Sequence, residues 1–224
     1  MHAFPARHVA NPPARRDAYP DAQRAILSVA GATAAAAEIK SWPGYAPTPL
    51  VPLDGLAGRL GLGAVLYKDE GRRFGLRSFK ALGGAYAVLR ILQERLAGEG
   101  IAATSADLLA GRYRDRTAEM TVATASDGNH GRSVAWGAGL FGCRSVIFIH
   151  EGVSAEREAA IAAYGAEMRR VPGGYHDSVP GVAPAAAAAG FTAERGAVLD
   201  QRGAPRRLLV GLGAPPDPLV AETA

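Results

Sequence analysis

The chain has 224 residues, and its 25 Lys and Arg against 21 Asp and Glu give a formal net charge of +4. Hydrophobic residues make up 48% of the chain, which is typical of a globular protein and excludes a disordered or fibrous one. The single cysteine excludes a disulfide-stapled secreted scaffold. The charges form no block and no apolar run is long enough to span a membrane, so we expect a soluble cytoplasmic protein without a nucleic-acid or membrane partner.

The first sixty residues predict helices separated by an extended, proline-containing segment. The alanine-rich stretch 22–40 favours one helix that ends at the Pro-Gly turn of residues 42–44. Prolines then keep the chain extended. Residues 54–62 predict a short helix that Gly61 or Gly63 closes.

From residue 64 onward, short apolar segments alternate with helical ones. The segments with strand character are 64–68, 120–124, 145–149 and 167–171, and those with helical character are 79–97, 106–110, 132–141 and 155–164. This alternation predicts βαβ units and a parallel sheet, with segment 64–68 as a buried strand. We therefore predict a three-layer α/β fold built on a parallel sheet.

The first group of candidate functional residues is Ser78-Phe79-Lys80, at the start of a predicted helix. Ser78 is expected to cap this helix, which places Lys80 in the first turn. The backbone N–H groups and the helix dipole disfavour a cation there and favour the neutral amine that Schiff-base chemistry with an aldehyde requires. Gly83 and Gly84 are costly inside a helix and indicate that something packs close to the backbone. Taken alone, a lysine at this position is usually an ordinary solvated side chain.

The second group is the loop Ser126-Asp127-Gly128-Asn129-His130, which follows a predicted strand and opens a helix. In α/β sheets, ligands bind at the carboxyl ends of strands. Ser126, Asn129 and the loop amides can hold a carboxylate and a ring hydroxyl, and Asp127 can act as a base. An ordinary Asx-rich turn explains the same residues, and a helix-capping role explains His130 equally well.

Together the two groups resemble the paired motifs of the fold-type II, or tryptophan synthase β-like, pyridoxal phosphate enzymes. The resemblance narrows to the family of diaminopropionate ammonia-lyases and covers about residues 40–178. The further motifs that carry it are Tyr45-x-Pro47-Thr48-Pro49-Leu50, Lys68-Asp69-Glu70, Arg73-Phe74-Gly75-Leu76, Gly131-Arg132-x-Val134-Ala135-Trp136 and Ser154-Ala155-Glu156-Arg157.

The resemblance implies that Lys80 carries pyridoxal phosphate, with Phe79 beside the cofactor ring and Asn129 at its ring hydroxyl. It also implies that Lys80 and Asp127 remove the Cα proton, one for each stereoisomer of 2,3-diaminopropionate, and that the products are pyruvate and ammonia. A small amino-acid substrate, a homodimer and no metal site are implied as well. The residues implied in binding the substrate carboxylate are Ser126, Gly128 and His130.

Two other interpretations fit the same residues. A serine or threonine dehydratase would use the same lysine and the same loop. A non-catalytic α/β module would keep both motifs as remnants and would bind no cofactor. Turnover of serine, threonine and 2,3-diaminopropionate separates the dehydratase from the ammonia-lyase. Cofactor binding separates both enzymes from the non-catalytic module.

Residues 179–224 depart from the pattern, because Ala, Gly, Pro and Arg supply 28 of these 46 residues. We interpret the segment as out-of-frame sequence foreign to the family, against the alternative of a natural Ala/Pro-rich tail. By the resemblance, residues 1–85 then form an N-terminal part of the large cofactor domain. Residues 86–178 form a smaller α/β domain with the Gly-Asn loop.

The departure after residue 178 has a consequence for the cofactor site. In the resembled family, a Gly-rich phosphate loop and a residue facing the pyridine nitrogen follow this point. The one Gly-rich candidate here, residues 211–214, is followed by two prolines, and we do not assign it. We therefore expect a fold that is incomplete at its C-terminal end and a chain that is inactive or unstable by itself.

Overall fold

The computed structural model describes residues 18, 20–26, 28–173, 196–199 and 205–206. By its internal contacts the chain divides into two compact units, Met1–Ala37 and Glu38–Ala224. None of the helices in this described part is both long and apolar enough to cross a membrane.

The first unit contains a helix boundary that the sequence did not predict. Helix α1 (Asp21–Ile26) ends before helix α2 (Val29–Lys40) begins, whereas the alanine-rich pattern predicts one helix over residues 22–40. The hydroxyl Oγ of Ser28 accepts the backbone N–H of Gly31 at 3.0 Å. This bond satisfies a free donor at the start of α2 and favours a new helix there.

A small antiparallel sheet follows at the start of the second unit. Strand β1 (Leu50–Pro52) pairs with strand β2 (Leu66–Lys68), and helix α3 (Asp54–Leu60) connects them. Gly61 ends α3 with a φ of +64°, as predicted. The prediction of a buried strand over 64–68 is wrong, because β2 is exposed and pairs with β1 instead of joining the parallel sheet.

The main sheet has the strand order β5-β4-β3-β6-β7. Its strands are β3 (Thr121–Ala125), β4 (Arg144–His150), β5 (Glu167–Val171), β6 (Gly196–Leu199) and β7 (Pro205–Arg206). Neighbours from β5 to β6 are parallel, which confirms the predicted parallel sheet, and β7 is antiparallel to β6. Strands β6 and β7 come from the segment after residue 178, whose origin stays a prediction.

Five helices and a 3₁₀ helix complete the described second unit. They are the 3₁₀ helix (Glu70–Gly75), α4 (Lys80–Gly98), α5 (Ser105–Leu109), α6 (Arg114–Thr117), α7 (Asn129–Phe141) and α8 (Ala155–Ala162). Gly142, with a φ of +82°, ends α7, and Ser154 caps α8 by accepting the N–H of Arg157 at 3.5 Å. The end of α7 and the start of α8 agree with the predicted helical segments 132–141 and 155–164.

The main apolar core lies between one face of the parallel sheet and helices α4 and α7. Leu89 and Leu92 of α4, Val134 of α7 and Ile147 of β4 are completely buried in it. Burial of such side chains contributes about 2 kcal/mol each, so this packing fixes α4 against the sheet. Helix α4 is continuous across residue 85, where the sequence predicts a domain boundary, and that boundary stays a prediction.

Candidate active site

The predicted loop connects the carboxyl end of β3 to the N-terminus of α7. Ser126 is only 5% exposed, and its Oγ accepts the backbone N–H of Gly131 at 3.1 Å and that of Gly128 at 3.4 Å. A Cβ on Gly131 would lie 3.1 Å from a methyl group of Ile147, so the loop lies tightly on the sheet. The hydroxyl proton of Ser126 takes no part in these two bonds and can be donated to a ligand.

The first turn of α7 holds two predicted site residues. His130 is 4% exposed, and the N-cap position belongs to Gly128 rather than to this histidine. Asn129 is exposed, and its Oδ1 accepts a hydrogen bond from Arg132 at 3.5 Å, so its amide nitrogen is the group that can donate to a ligand. Arg132 is held in turn by Tyr164, whose hydroxyl accepts from it at 3.2 Å and whose ring lies under its guanidinium.

Asp127 lies beside two side chains from the neighbouring strand and helix. Its Oδ2 is 3.4 Å from Nη1 of Arg157 and 4.0 Å from Nε2 of His150. Arg157 was predicted only as part of a motif, and His150 was not predicted as a site residue. Their places in the sequence could have indicated this contact, because the ends of adjacent parallel strands and the segments that follow them meet at one edge of a sheet.

Lys80 is the first residue of α4 and is partly buried. The predicted N-cap is corrected, because Phe79 occupies that position with helical backbone angles. Ser78 nevertheless contributes, since its Oγ accepts the backbone N–H of Lys80 at 3.2 Å. Phe79 is 63% exposed beside the lysine, so its ring is accessible to a flat ligand.

The turn that precedes Lys80 carries backbone strain. Phe74 and Arg77 have φ angles of 47° and 58°, in the left-handed region that residues with a Cβ rarely adopt, and Gly75 lies between them with a φ of 74°. Each such residue costs about 1–3 kcal/mol, and strained residues of this kind cluster at functional sites. The surrounding structure must therefore hold this turn in place.

A buried ion pair holds the strained turn. Arg73 is 6% exposed, and its Nε donates to the Oε2 of Glu70 at 2.7 Å. Its Nη2 donates to Thr48 at 2.9 Å, its Nη1 donates to the carbonyl oxygen of Ala46 at 3.0 Å, and its guanidinium lies over the ring of Tyr45. These contacts join the proline-containing segment to the 3₁₀ helix, which was not predicted from the sequence.

Glu70→Gln is expected to lower the free energy of unfolding by about 2 kcal/mol at neutral pH, because it weakens a hydrogen-bonded ion pair. The hydrogen bond from Arg73 lowers the pKa of the Glu70 carboxyl from 4.5 to about 2, against the opposing effect of burial. The carboxylate therefore contributes stability that is complete above about pH 4.5 and is lost as the pH falls toward about 2. Urea unfolding at several pH values measures both effects.

The matched control for that variant is Glu158→Gln. Glu158 pairs with Arg170 on the surface, and exposed pairs contribute at most about 1 kcal/mol. The stability of Glu70→Gln should depend less on pH between about 2 and 4.5 than that of the unmodified chain. Equal losses in the two variants, or equal acid dependence, would contradict the role of Glu70.

A close contact between α4 and α7 lies near both groups of predicted residues. A Cβ on Gly84 of α4 would lie 2.7 Å from the Cβ of Ser133 on α7, so the side chain of Ser133 packs directly against the backbone of α4 at this glycine. Lys80 lies one turn before Gly84, and Asn129 lies one turn before Ser133. One turn is about 5.4 Å, so both residues lie within one turn of the same contact.

The residues present fit the amine and ring parts of pyridoxal phosphate. Lys80 supplies a primary amine at a helix N-terminus, Phe79 an exposed ring beside it, and Asn129 an amide donor one turn from the same helix contact. We assign no phosphate site within the described residues. The Gly-rich candidate at residues 211–214 lies outside them.

Comparison with known proteins gives a family and relatives of the expected kind. Residues 41–201 match the family described as pyridoxal-phosphate dependent enzyme. The chain is 44% identical over 136 residues to the diaminopropionate ammonia-lyase of Escherichia coli strain K12, which is 61% of this chain and 33% of that protein. It is 30% identical over 151 residues to a probable D-serine dehydratase of Burkholderia pseudomallei strain K96243, with coverages of 64% and 34%.

Crystal structures of the Escherichia coli diaminopropionate ammonia lyase share this fold. The complex with D-serine has a TM-score of 0.65 at 36% identity and covers 76% of this chain and 42% of its own. The complex with an aminoacrylate-PLP azomethine reaction intermediate has a TM-score of 0.62 at 36% identity and covers 76% and 41%. The chain thus spans about a third of the length of the curated relatives it matches.

The family match and the fold support the same conclusion. The matched range includes both groups of candidate residues and extends into the segment after residue 178. The parallel sheet, with the Gly-Asn loop at the carboxyl end of β3 and the lysine at the start of α4, is the arrangement that the resemblance implied. The chain therefore belongs to the family of pyridoxal-phosphate dependent enzymes.

Proposed function

We propose that this chain carries the lysine and the carboxylate-binding loop of a carbon-nitrogen lyase that eliminates ammonia from 2,3-diaminopropionate, after which water hydrolyses the product to pyruvate and a second ammonia. The observation that supports the proposal is the contact of Gly84 with Ser133, because Lys80 and Asn129 each lie one helical turn before it. The 44% identity to a diaminopropionate ammonia-lyase supports the choice of substrate.

The residues of α4 and α7 would hold the cofactor. When bound, pyridoxal phosphate supplies an aldehyde for amines and a ring that takes up the electrons released from the substrate Cα. Lys80 would hold the aldehyde carbon, Phe79 would lie against the ring, and Asn129 would donate its amide hydrogen to the ring hydroxyl. The half-buried position of Lys80 excludes part of the solvent from its amine.

The loop after β3 would bind and orient the substrate. Ser126, Gly128 and His130 lie at the N-terminus of α7, where backbone N–H groups and the helix dipole favour the α-carboxylate. Lys80 accepts the Cα proton of one stereoisomer and Asp127 that of the other. Two bases on different elements would explain how one site accepts both configurations.

A dehydratase acting on serine or threonine is the second candidate. It is favoured by the 30% identity to a probable D-serine dehydratase, and it needs no residue that the first candidate lacks. The homodimer implied by the resemblance stays a prediction, which sedimentation velocity tests.

Protection of Lys80 from reductive labelling tests the proposal without requiring full turnover. Borohydride reduction attaches pyridoxal phosphate permanently to the lysine that holds it, and an amino-acid substrate protects that lysine by taking its place. We expect 2,3-diaminopropionate to protect Lys80 at a lower concentration than serine or threonine, and to be the amino acid from which pyruvate is released.

The other outcomes are decisive as well. Better protection by serine or threonine would favour the dehydratase. A chain that takes up no label at Lys80 would be a non-catalytic module. Full-length relatives assayed in parallel provide the reference for protection by a cognate substrate.

A further inference from the structure

Among the residues that the structure describes, the side chains that face Asp127 approach its carboxylate at one oxygen, Oδ2. Nη1 of Arg157 lies 3.4 Å and Nε2 of His150 lies 4.0 Å from the same atom, Oδ2. His150 ends strand β4, and Arg157 lies in the first turn of α8. They therefore come from the neighbouring strand and from the helix that follows it, and neither belongs to the helix that carries Lys80.

A second contact fixes which nitrogen of His150 faces Asp127 as a donor. Nδ1 of His150 accepts the backbone N–H of Gly152 at 3.2 Å. A nitrogen that accepts a hydrogen bond carries no proton, so the neutral imidazole has its hydrogen on Nε2. Nε2 is the atom that faces Oδ2 of Asp127, 4.0 Å away, so the ring presents its N–H toward the carboxylate from just beyond hydrogen-bond distance.

We propose that His150 and Arg157 are positioning residues that hold Asp127 through Oδ2 and leave Oδ1 as the atom that accepts the substrate proton. This inference rests on the proposed function, in which Asp127 serves one stereoisomer. Proton transfer requires the base within hydrogen-bond reach of the proton, and a small displacement is costly. A carboxylate free to rotate would lose this alignment.

The proposal predicts an effect on one stereoisomer only. Lys80 begins α4, whereas the two positioning residues lie on β4 and α8. Loss of either contact should therefore impair proton removal by Asp127 and leave proton removal by Lys80 intact. A residue that merely stabilises the fold would affect both stereoisomers alike.

The imidazole tautomer is the first test, and it needs neither cofactor nor turnover. The chain has five histidines, so ¹⁵N NMR of the full chain resolves few signals, and the signal lost in His150→Gln identifies His150. We expect the neutral ring to carry its hydrogen on Nε2. A hydrogen on Nδ1 would remove the donor that faces Asp127 and would overturn the inference.

Exchange of the substrate Cα hydrogen in D₂O is the second test, measured over hours with the cofactor-loaded chain and each stereoisomer. Asp127→Asn identifies the stereoisomer that depends on Asp127. For that stereoisomer, His150→Asn and Arg157→Gln should lower the exchange rate about tenfold, and the other stereoisomer should change by less than about twofold. Glutamine at position 150 reaches near Nε2 and keeps a donor, so His150→Gln should restore exchange, as should Arg157→Lys.

The control variant is Arg170→Gln, which removes an arginine that pairs with Glu158 on the same helix as Arg157. It should leave both exchange rates unchanged. Equal losses for both stereoisomers in His150→Asn would overturn the positioning role. If the chain exchanges the Cα hydrogen of neither stereoisomer faster than free cofactor does, both the proposed function and this inference are overturned. A neutral His150 with its hydrogen on Nδ1 would overturn the inference alone.

Discussion

Lys80→Ala is expected to abolish the absorption band of lysine-bound pyridoxal phosphate. The chain has three lysines, at positions 40, 68 and 80, and only Lys80 lies within one turn of the contact with the helix of the Gly-Asn loop. Without its amine, the cofactor aldehyde has no covalent partner in the site. Absorption spectroscopy and peptide mass spectrometry after borohydride reduction measure the attachment directly.

Lys40→Ala is the matched control for this variant. Lys40 is an exposed residue at the end of α2, so its removal should leave both the band and the label unchanged. Lys68 donates to the carbonyl oxygen of Thr48 and should stay unlabelled. A band that persists in Lys80→Ala, or a label that appears on Lys68, would refute the assignment of Lys80.

Gly84→Ala is expected to lower the free energy of unfolding by about 2–3 kcal/mol, because the added methyl group overpacks the contact between α4 and α7. That methyl group would lie 2.7 Å from the Cβ of Ser133 and 3.3 Å from the backbone nitrogen of Val134. Neither atom belongs to the end of a flexible side chain, so the helices must separate. Urea unfolding measures the loss of stability. Labelling of Lys80 by borohydride reduction with pyridoxal phosphate should decrease in the same variant.

The adjacent glycine provides the control. A Cβ on Gly83 would meet no atom within 4 Å, so Gly83→Ala should stabilise the helix by up to about 1 kcal/mol. Adding Ser133→Gly to Gly84→Ala should restore part of the lost stability, because it removes the atoms that clash. Equal effects of the two alanine substitutions would contradict the packing described here.

The local structure was readable from the sequence because its signals are local. The alternation of apolar segments predicted β3, β4 and β5 to within one residue at either end, and Gly61 ends a helix as predicted. The same signals failed for residues 64–68. An apolar stretch indicates a strand but not its partner, and β2 pairs with the short β1.

The candidate site was predicted in part, because local signals do not name the partners of a residue. The glycine pair in α4 indicated a close approach, but sequence alone does not distinguish Gly84 from Gly83. A Cβ on Gly84 would meet Ser133, whereas a Cβ on Gly83 would meet nothing within 4 Å. The hydroxyl of Ser78 was expected at the helix start, and it does accept a backbone N–H there, although Phe79 holds the N-cap position.

The sequence by itself determined the class of fold, the positions of the lysine and the loop, and the family that their motifs resemble. The class of fold and the positions of the lysine and the loop follow from periodicity and capping within single segments, and the family follows from the resemblance of the motifs. Only the tertiary structure decided that Arg73 binds Thr48, and that His150 and Arg157 face Asp127. Both sets of contacts join residues more than twenty positions apart in the chain, which no local sequence signal reports. The contacts of Asp127 arise because parallel strands bring their carboxyl ends to one edge of a sheet.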